Sequence, residues 1–190
     1  MSQPLRYLHT PEEYLRLEEN STDKHEFIEG GIYLIAGGSL RHNALTVNIA
    51  AELNIGLRGK PCVTFSSDMR LSPDIGAFYA YADVSVVCGT PELAPGGNAT
   101  LTNPTVIVEV LSPSTENYDR GKKAEYYRRF LSLKSYLIVD QGRVFVEHYC
   151  RQEDNSWSLE IFTDLSEQIS LPSLGLVIPL INIHDKINLN

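Results

Sequence analysis

The sequence predicts a mixed α/β (α+β) domain. Two observations carry that prediction. Short apolar segments rich in β-branched and aromatic residues alternate with stretches of helical period, and the 190 residues, 43% hydrophobic and 21% charged, have an ordinary globular composition. At this length one domain over residues 1–190 is expected.

Each element has a local reason. Thr10-Pro11-Glu12-Glu13 reads as a helix start, with Thr10 as N-cap, proline at the first helical position and acids where the macrodipole favours them; a helix over about 10–18 follows. His25 to Ile35 holds two apolar runs around Glu29-Gly30-Gly31, the pattern of a β-hairpin whose turn needs positive φ. From Ser39 to about Gly56, Leu45, Ile49 and Leu53 recur every four residues on one helical face, and His42 shares it. Cys62–Phe65, Asp68–Leu71 and Phe78–Val87 look like consecutive strands, and Gly89–Thr100 is a loop dense in glycine and proline. Thr105–Leu111 is almost continuously apolar, as in a strand buried on both faces. A helix over about 118–133 precedes strands at 135–140 and 143–149, and short strands and turns follow Trp157.

Charge and cysteine content narrow the function. Twenty-four acidic residues against 16 basic ones give a net charge of -8, which excludes coating of nucleic acid or anionic membrane by bulk charge. Contact with a polyanion must be local or helped by metal ions. Cys62, Cys88 and Cys150 are odd in number and lack CxxC spacing, so neither a disulfide framework nor a cysteine zinc site is supported, and a reducing cytoplasm is expected. The start of the chain lacks a signal-peptide apolar region, and no apolar run approaches the ~20 residues of a membrane span.

Against this background a few polar residues stand out. Glu109 lies between Val108 and Val110 in the most apolar strand, on the face of Ile107 and Leu111. An unpaired buried carboxylate costs several kcal/mol, so a metal ion, a lysine or arginine, or a second carboxyl must compensate it. Asp83 opens another apolar strand, where an acid alone is more often a turn cap; two carboxylates brought together on neighbouring strands instead offer the hard oxygen ligands that Mg²⁺ prefers. At ~100° per residue, Lys123 shares a helix face with Tyr127, Phe130 and Leu131 and points inward, while Lys122 turns to solvent. Lys123 is then either half of a structural ion pair or a charge aimed at a phosphate or water. Glu26 carries the least signal by itself. His42 reads as a hydrogen-bonded core histidine, since no second ligand lies at metal spacing, and Asp68 as a structural partner of Arg70 or a turn cap.

Taken in order, Tyr81-Ala82-Asp83-Val84-Ser85-Val86-Val87, then Val106-Ile107-Val108-Glu109-Val110-Leu111-Ser112-Pro113-Ser114-Thr115, then Asp119-Arg120-Gly121-Lys122-Lys123 and Tyr136-Leu137-Ile138-Val139-Asp140 resemble the Uma2 family of restriction endonuclease-like proteins. The resemblance extends to Thr10-Pro11-Glu12-Glu13-Tyr14 and to the His25-Glu26-Phe27-Ile28-Glu29-Gly30 hairpin, and so covers nearly the whole chain. It implies the restriction-endonuclease-like PD-(D/E)XK fold, a mixed central β-sheet flanked by helices, and Mg²⁺-assisted phosphodiester hydrolysis, with Mn²⁺ as a substitute. Asp83 is similar to the metal-binding aspartate of that motif and Glu109 to its second acid, so these two are the implied metal ligands. Leu111 stands where the motif has lysine, and Lys123 on the following helix takes that role. Glu26 matches a glutamate that the fold often adds, which makes Glu26, Asp83, Glu109 and Lys123 the candidate catalytic set. Ala82 replaces a usual proline and Lys122 a frequent glutamate; neither change removes a catalytic group.

On this basis the expected function is that of a metal-dependent DNA endonuclease, with DNA as partner, no membrane association and homodimerisation by analogy with two-strand cleavage. Arg120, Lys122, Lys123, Arg128 and Arg129 fall in one helix as a local counter to the net charge, although Arg128 and Arg129 read as solvated. The competing expectation is a nucleic-acid-associated or protein-interaction module on the same fold with little or no cleavage, which the acidity and the lack of a separate DNA-reading domain favour.

Overall fold

The computed structural model describes residues 8–95, 99–113 and 115–189; the first residues of the chain, the middle of the Gly89–Thr100 loop and Ser114 of the motif lie outside them. The elements run α1 (Pro11–Asn20), β1 (His25–Ile28), β2 (Gly31–Leu34), α2 (Leu40–Gly56), β3 (Cys62–Ser66), β4 (Arg70–Asp74), β5 (Phe78–Tyr81), β6 (Val84–Cys88), β7 (Thr100–Leu101) and β8 (Val106–Leu111). Then come α3 (Glu116–Tyr118), a π-helical turn (Asp119–Lys123), α4 (Ala124–Tyr127), β9 (Ser135–Asp140), β10 (Val146–Arg151), β11 (Trp157–Phe162), β12 (Gln168–Leu171), β13 (Leu176–Pro179) and α5 (Leu180–Ile183).

The strands form a mixed six-stranded sheet in the order β11-β10-β9-β8-β6-β3, a five-stranded sheet in the order β2-β1-β5-β4-β7, and the β12-β13 hairpin. Strand β8 is the hub: every residue in it is buried, it pairs antiparallel with β6 and parallel with β9, and its alternating side chains feed two different cores. Val106, Val108 and Val110 join Leu45, Ile49 and Leu53 of α2 and the apolar side chains of β12, β13 and α5. Ile107 and Leu111 join Phe78, Tyr127, Phe130 and Tyr136 in the layer between the two sheets. On the outer face of the five-stranded sheet, α1 buries Tyr14 against Phe27 and Tyr79.

Capping follows the expected chemistry. Thr10 accepts from the Glu13 N–H while Glu13 accepts from the Thr10 N–H, a reciprocal capping box, and Ser39 accepts from the His42 N–H at the start of α2. At the hairpin tip Glu29 and Gly30 take φ of 47° and 89°, the two positive values that a two-residue turn between twisted strands demands.

Four sequence expectations are corrected. The segment 78–87 is two strands: the chain leaves one sheet and enters the other at Ala82-Asp83, a change marked in the sequence only by the acid that opens the second strand. The helix expected to reach residue 133 ends at Tyr127, so Leu131 is 87% exposed instead of continuing the buried stripe of Tyr127 and Phe130. Cys62 and Cys88 are joined in a disulfide because the β3-β6 register sets them opposite one another, which removes the cysteine argument for a reducing compartment. Asp68, in turn, pairs with Lys24 rather than Arg70. Among the described residues no helix is long and apolar enough to cross a membrane.

One buried titratable group in the six-stranded sheet gives a test of the fold. His148 is 1% exposed, its Nε2 lies 2.9 Å from Ser135 Oγ, and burial lowers its pKa below 6.5, with Glu160 opposing. The unfolded chain therefore takes up a proton near pH 6.5 that the folded chain accepts only at lower pH, so this contribution to stability is full above pH 6.5 and is lost as pH falls through the depressed value. In urea titrations below pH 6.5, His148→Gln is expected to lose less stability with acidification than the wild type; parallel curves would show that His148 protonates freely in the fold.

Candidate active site

The site is assembled where the two sheets meet. Strand β6 pairs with β8 from Val86↔Val106 to Val84↔Val108, and β8 then runs on past the point where the chain turns away into β5. The Val110 N–H has no β6 carbonyl to meet, and Asp83 Oδ2 accepts it at 2.7 Å. Asp83 stands one residue before the paired part of β6, and Glu109 follows the paired part of β8 on the intersheet face of Ile107 and Leu111. His42 reaches the same carboxylate from α2, its Nε2 3.2 Å from Asp83 Oδ2; this hydrogen bond, against burial, raises the His42 pKa.

Lys123 occupies the centre. The π turn, a widened helical turn of a kind common at functional sites, buries both Asp119 and Lys123. Lys123 Nζ lies 2.9 Å from Glu109 Oε1, 3.0 Å from Glu26 Oε1 and 3.7 Å from Asp119 Oδ1, and donates to the Tyr81 carbonyl at 3.2 Å. Glu26 Oε1 also accepts the Tyr81 N–H at 3.2 Å, so both peptide groups of Tyr81 are held by the cluster. Tyr127 donates its hydroxyl to Glu109 Oε1 at 2.8 Å. Aromatic rings wall off the cluster: Lys123 sits over Tyr118 and Tyr127, and Tyr127 meets Tyr136 edge to face at 5.5 Å.

Electrostatics follow from that packing. Burial pushes the Glu109 pKa well up, Lys123 pulls it back, and Asp119 and Asp83 add to the rise; Asp119 is raised for the same leading reason. Burial works to lower the Lys123 pKa, but Glu109 and Glu26 together outweigh it and hold the ammonium well above its ordinary range. Four carboxylates, Glu26, Asp83, Glu109 and Asp119, thus face one permanent cation and one histidine. The acids outnumber the cations, and either protons, taken up at the raised pKa values of Glu109 and Asp119, or a divalent cation neutralises the excess. Among the described residues no three His, Cys, Asp or Glu side chains are grouped as a ready-made metal cage. Carboxylate oxygens such as those of Asp83 and Glu109 are the hard donors that an ion of the Mg²⁺ kind takes, one or two from the protein with water and substrate oxygens completing its shell.

Of the four residues singled out from the sequence, Lys123 is in direct contact with Glu26 and Glu109, while Asp83 is held by the Val110 N–H and His42 and reaches Glu109 through its charge. Sequence reasoning missed Asp119, His42 and Tyr127. Asp119 is four residues before Lys123 and shares its face, a signal the sequence carries; His42 has no second histidine at ligand spacing, and its partner is an acid on another element. The expected basic patch is not free charge. Arg120 pairs with Glu116 and Glu147, Lys122 with Glu29, and Arg129 with Asp74 and Glu125, while Arg128 stacks on Tyr149.

A sheet hub with an aspartate at a strand entry, a buried acid on the neighbouring strand and a lysine from the following helix defines a restriction-endonuclease-like α+β protein. The chain belongs to the Uma2 family, whose model, described as "Putative restriction endonuclease", matches residues 11–181. Two uncharacterized proteins of Synechocystis sp. (strain ATCC 27184 / PCC 6803 / Kazusa) are similar along most of their length. Protein sll1609 is 40% identical over 150 residues, 79% of this chain and 85% of its own. Protein slr1290 is 36% identical over 167 residues, 88% of this chain and 86% of its own. The fold is shared with a crystal structure from Anabaena variabilis ATCC 29413 described as "a putative nuclease belonging to DUF820", at a TM-score of 0.77 and 17% identity, covering 94% of this chain and 99% of that one.

The charge balance makes a direct prediction. Lys123→Met leaves Glu26, Glu109 and Asp119 buried without their cation and is expected to cost about 3–5 kcal/mol at neutral pH. Adding Glu109→Gln should recover part of that loss, because one uncompensated charge disappears. Denaturant titration of the four proteins of this cycle measures the coupling; strict additivity would mean that the two side chains do not interact.

Proposed function

We propose that this protein is a metal-dependent endonuclease that hydrolyses DNA phosphodiester bonds, as one domain over residues 1–190 and with Mg²⁺ or, in its place, Mn²⁺. The observation that carries this reading is the buried cluster in which Lys123 joins Glu26, Glu109 and Asp119, with Asp83 held at the adjoining strand entry by the Val110 N–H and His42. Family membership supports it, since the family and the Anabaena protein are both described as nucleases.

Asp83 and Glu109 would hold the ion. Among the described residues, Asp83 meets Val110 and His42 through Oδ2, and Glu109 meets Lys123 and Tyr127 through Oε1. When bound, the ion supplies Lewis-acid stabilisation of charge on the phosphate and a source of hydroxide near neutral pH. Lys123 stays protonated, because Glu109 and Glu26 hold its pKa up against burial. It therefore acts as a charge and hydrogen-bond donor to water or to a phosphate oxygen, and does not serve as a base. Glu26 fixes the ammonium in place while anchoring the Tyr81 peptide, and Tyr127 fixes the carboxylate of Glu109. His42 and the Val110 N–H orient Asp83.

Cleavage of supercoiled, linear and single-stranded DNA with Mg²⁺ or Mn²⁺ tests the reading, with Glu109→Gln and Lys123→Ala compared after each is shown to be folded. Metal-dependent cutting by the wild type, reduced at least ~100-fold in both variants, is the expected outcome, since removing one preorganised charge-stabilising group costs about that much. A wild type that cuts none of these substrates with either metal would move the protein to a binding module on the same fold.

A further inference from the structure

The five-stranded sheet ends in a strand that natural edges rarely resemble. β2 is its outermost strand among the described residues, pairs with β1 in unbroken register and carries no proline, bulge or charge, the devices that normally blunt an edge. Residues 30–40 contain no charged side chain at all. Tyr33, Leu34 and Ile35 are exposed by 51%, 65% and 36%, and Leu40, just beyond, by 92%.

The register shows what this edge offers. The Ile35 N–H donates to Lys24 O at 2.9 Å, so Ile35 faces β1, and with it, by alternation, Tyr33 and Gly31. Ile32 and Leu34 consequently turn their N–H and C=O groups outward. An antiparallel two-fold pairing centred on Tyr33 would set Ile32 against Leu34 of a second copy twice over, each pair exchanging two hydrogen bonds, with Tyr33 opposite Tyr33 of that copy. The edge is complementary to itself.

Charge selects the occupant. A partner of either sign finds nothing on residues 30–40 to pair with, whereas two chains of net charge -8 repel one another except where a surface is neutral. We propose that β2 is a homodimer interface, at which two copies of this chain join their five-stranded sheets edge to edge. Glu26 lies opposite Tyr33 on β1. The two Glu26 backbones would then be three strand spacings apart, about 14 Å, on the same face of the joined sheet. On the nuclease reading, which this consequence rests on, two candidate sites are brought to the two strands of one duplex.

Sedimentation of the wild type without DNA is expected to give twice the 21.3 kDa chain mass. Leu34→Pro removes one outward N–H and no bond to β1, so it should yield a folded monomer; if circular dichroism shows that it does not fold, Leu34→Lys takes its place. Tyr33→Cys should oxidise to a covalent dimer faster than Ile35→Cys, because only position 33 meets itself. A monomeric wild type, a Leu34 variant that stays dimeric, or equal cross-linking at 33 and 35 would each overturn the interface. Conversion of double-strand cutting to nicking in Leu34→Pro reads the functional consequence separately. A dimer that cuts no DNA counts against the nuclease reading and leaves the interface standing.

Discussion

The Lys123 ammonium is the fixed point of this structure. It gathers Glu26 from β1, Glu109 from β8, Asp119 from its own helical turn and the Tyr81 carbonyl from β5, so one buried charge ties both sheets to the helix between them. Such an arrangement is poor economy for stability alone. Burying ions costs several kcal/mol each, and well-packed apolar side chains in the same volume would serve a purely structural purpose at least as well. The aromatic walls compound the cost by excluding water, which strengthens each electrostatic interaction inside while leaving the surplus negative charge unscreened.

The scaffold explains how so much charge is held. β8 is buried throughout and sends its valines to one core and Ile107, Glu109 and Leu111 towards the other, so the carboxylate of Glu109 cannot swing to solvent without moving the central strand. Asp83 stands where the chain changes sheets, and it satisfies a backbone N–H that the departing strand would otherwise leave unpaired. On the proposed reading its structural and chemical roles share one geometry. The same turn of the chain makes the peptide of Tyr81 available to Lys123 and Glu26, so the sheet-to-sheet crossing builds the site as well as the fold.

How much of this was legible depended on whether the signal was local. The apolar run around Glu109, the Thr10 cap and the Leu45, Ile49, Leu53 stripe follow from period and propensity, which neighbours in sequence determine. The break at Ala82-Asp83 shows in sequence only as an acid opening a strand, and the change of sheet does not show, because strands of two sheets carry similar apolar patterns. The Cys62–Cys88 disulfide and the His42–Asp83 contact needed a register and a helix position that no spacing rule supplies. The end of the helix was overrun for a related reason: a π turn adds a residue to one turn, and a wheel of fixed pitch carried past Tyr127 keeps assigning faces to a chain that is no longer helical. Asp119 differs from these, since its four-residue spacing from Lys123 was visible and only its importance was missed.

The surface and the site pose one electrostatic problem. A chain of net charge -8 in which Arg120, Lys122 and Arg129 are paired with Glu116, Glu147, Glu29, Asp74 and Glu125 offers a polyanion little free positive charge near the cluster. Lys123 cannot supply it alone, because three carboxylates already share its charge. On the proposed reading the attraction that brings phosphate to this site must come largely from the divalent cation, which relieves the repulsion among the acids and then meets the substrate with its remaining charge. Metal and substrate affinity are then coupled through the same carboxylates, each strengthening the other. An acidic exterior is consistent with such chemistry, since it leaves nonspecific contact with nucleic acid weak away from the one point where the ion is held.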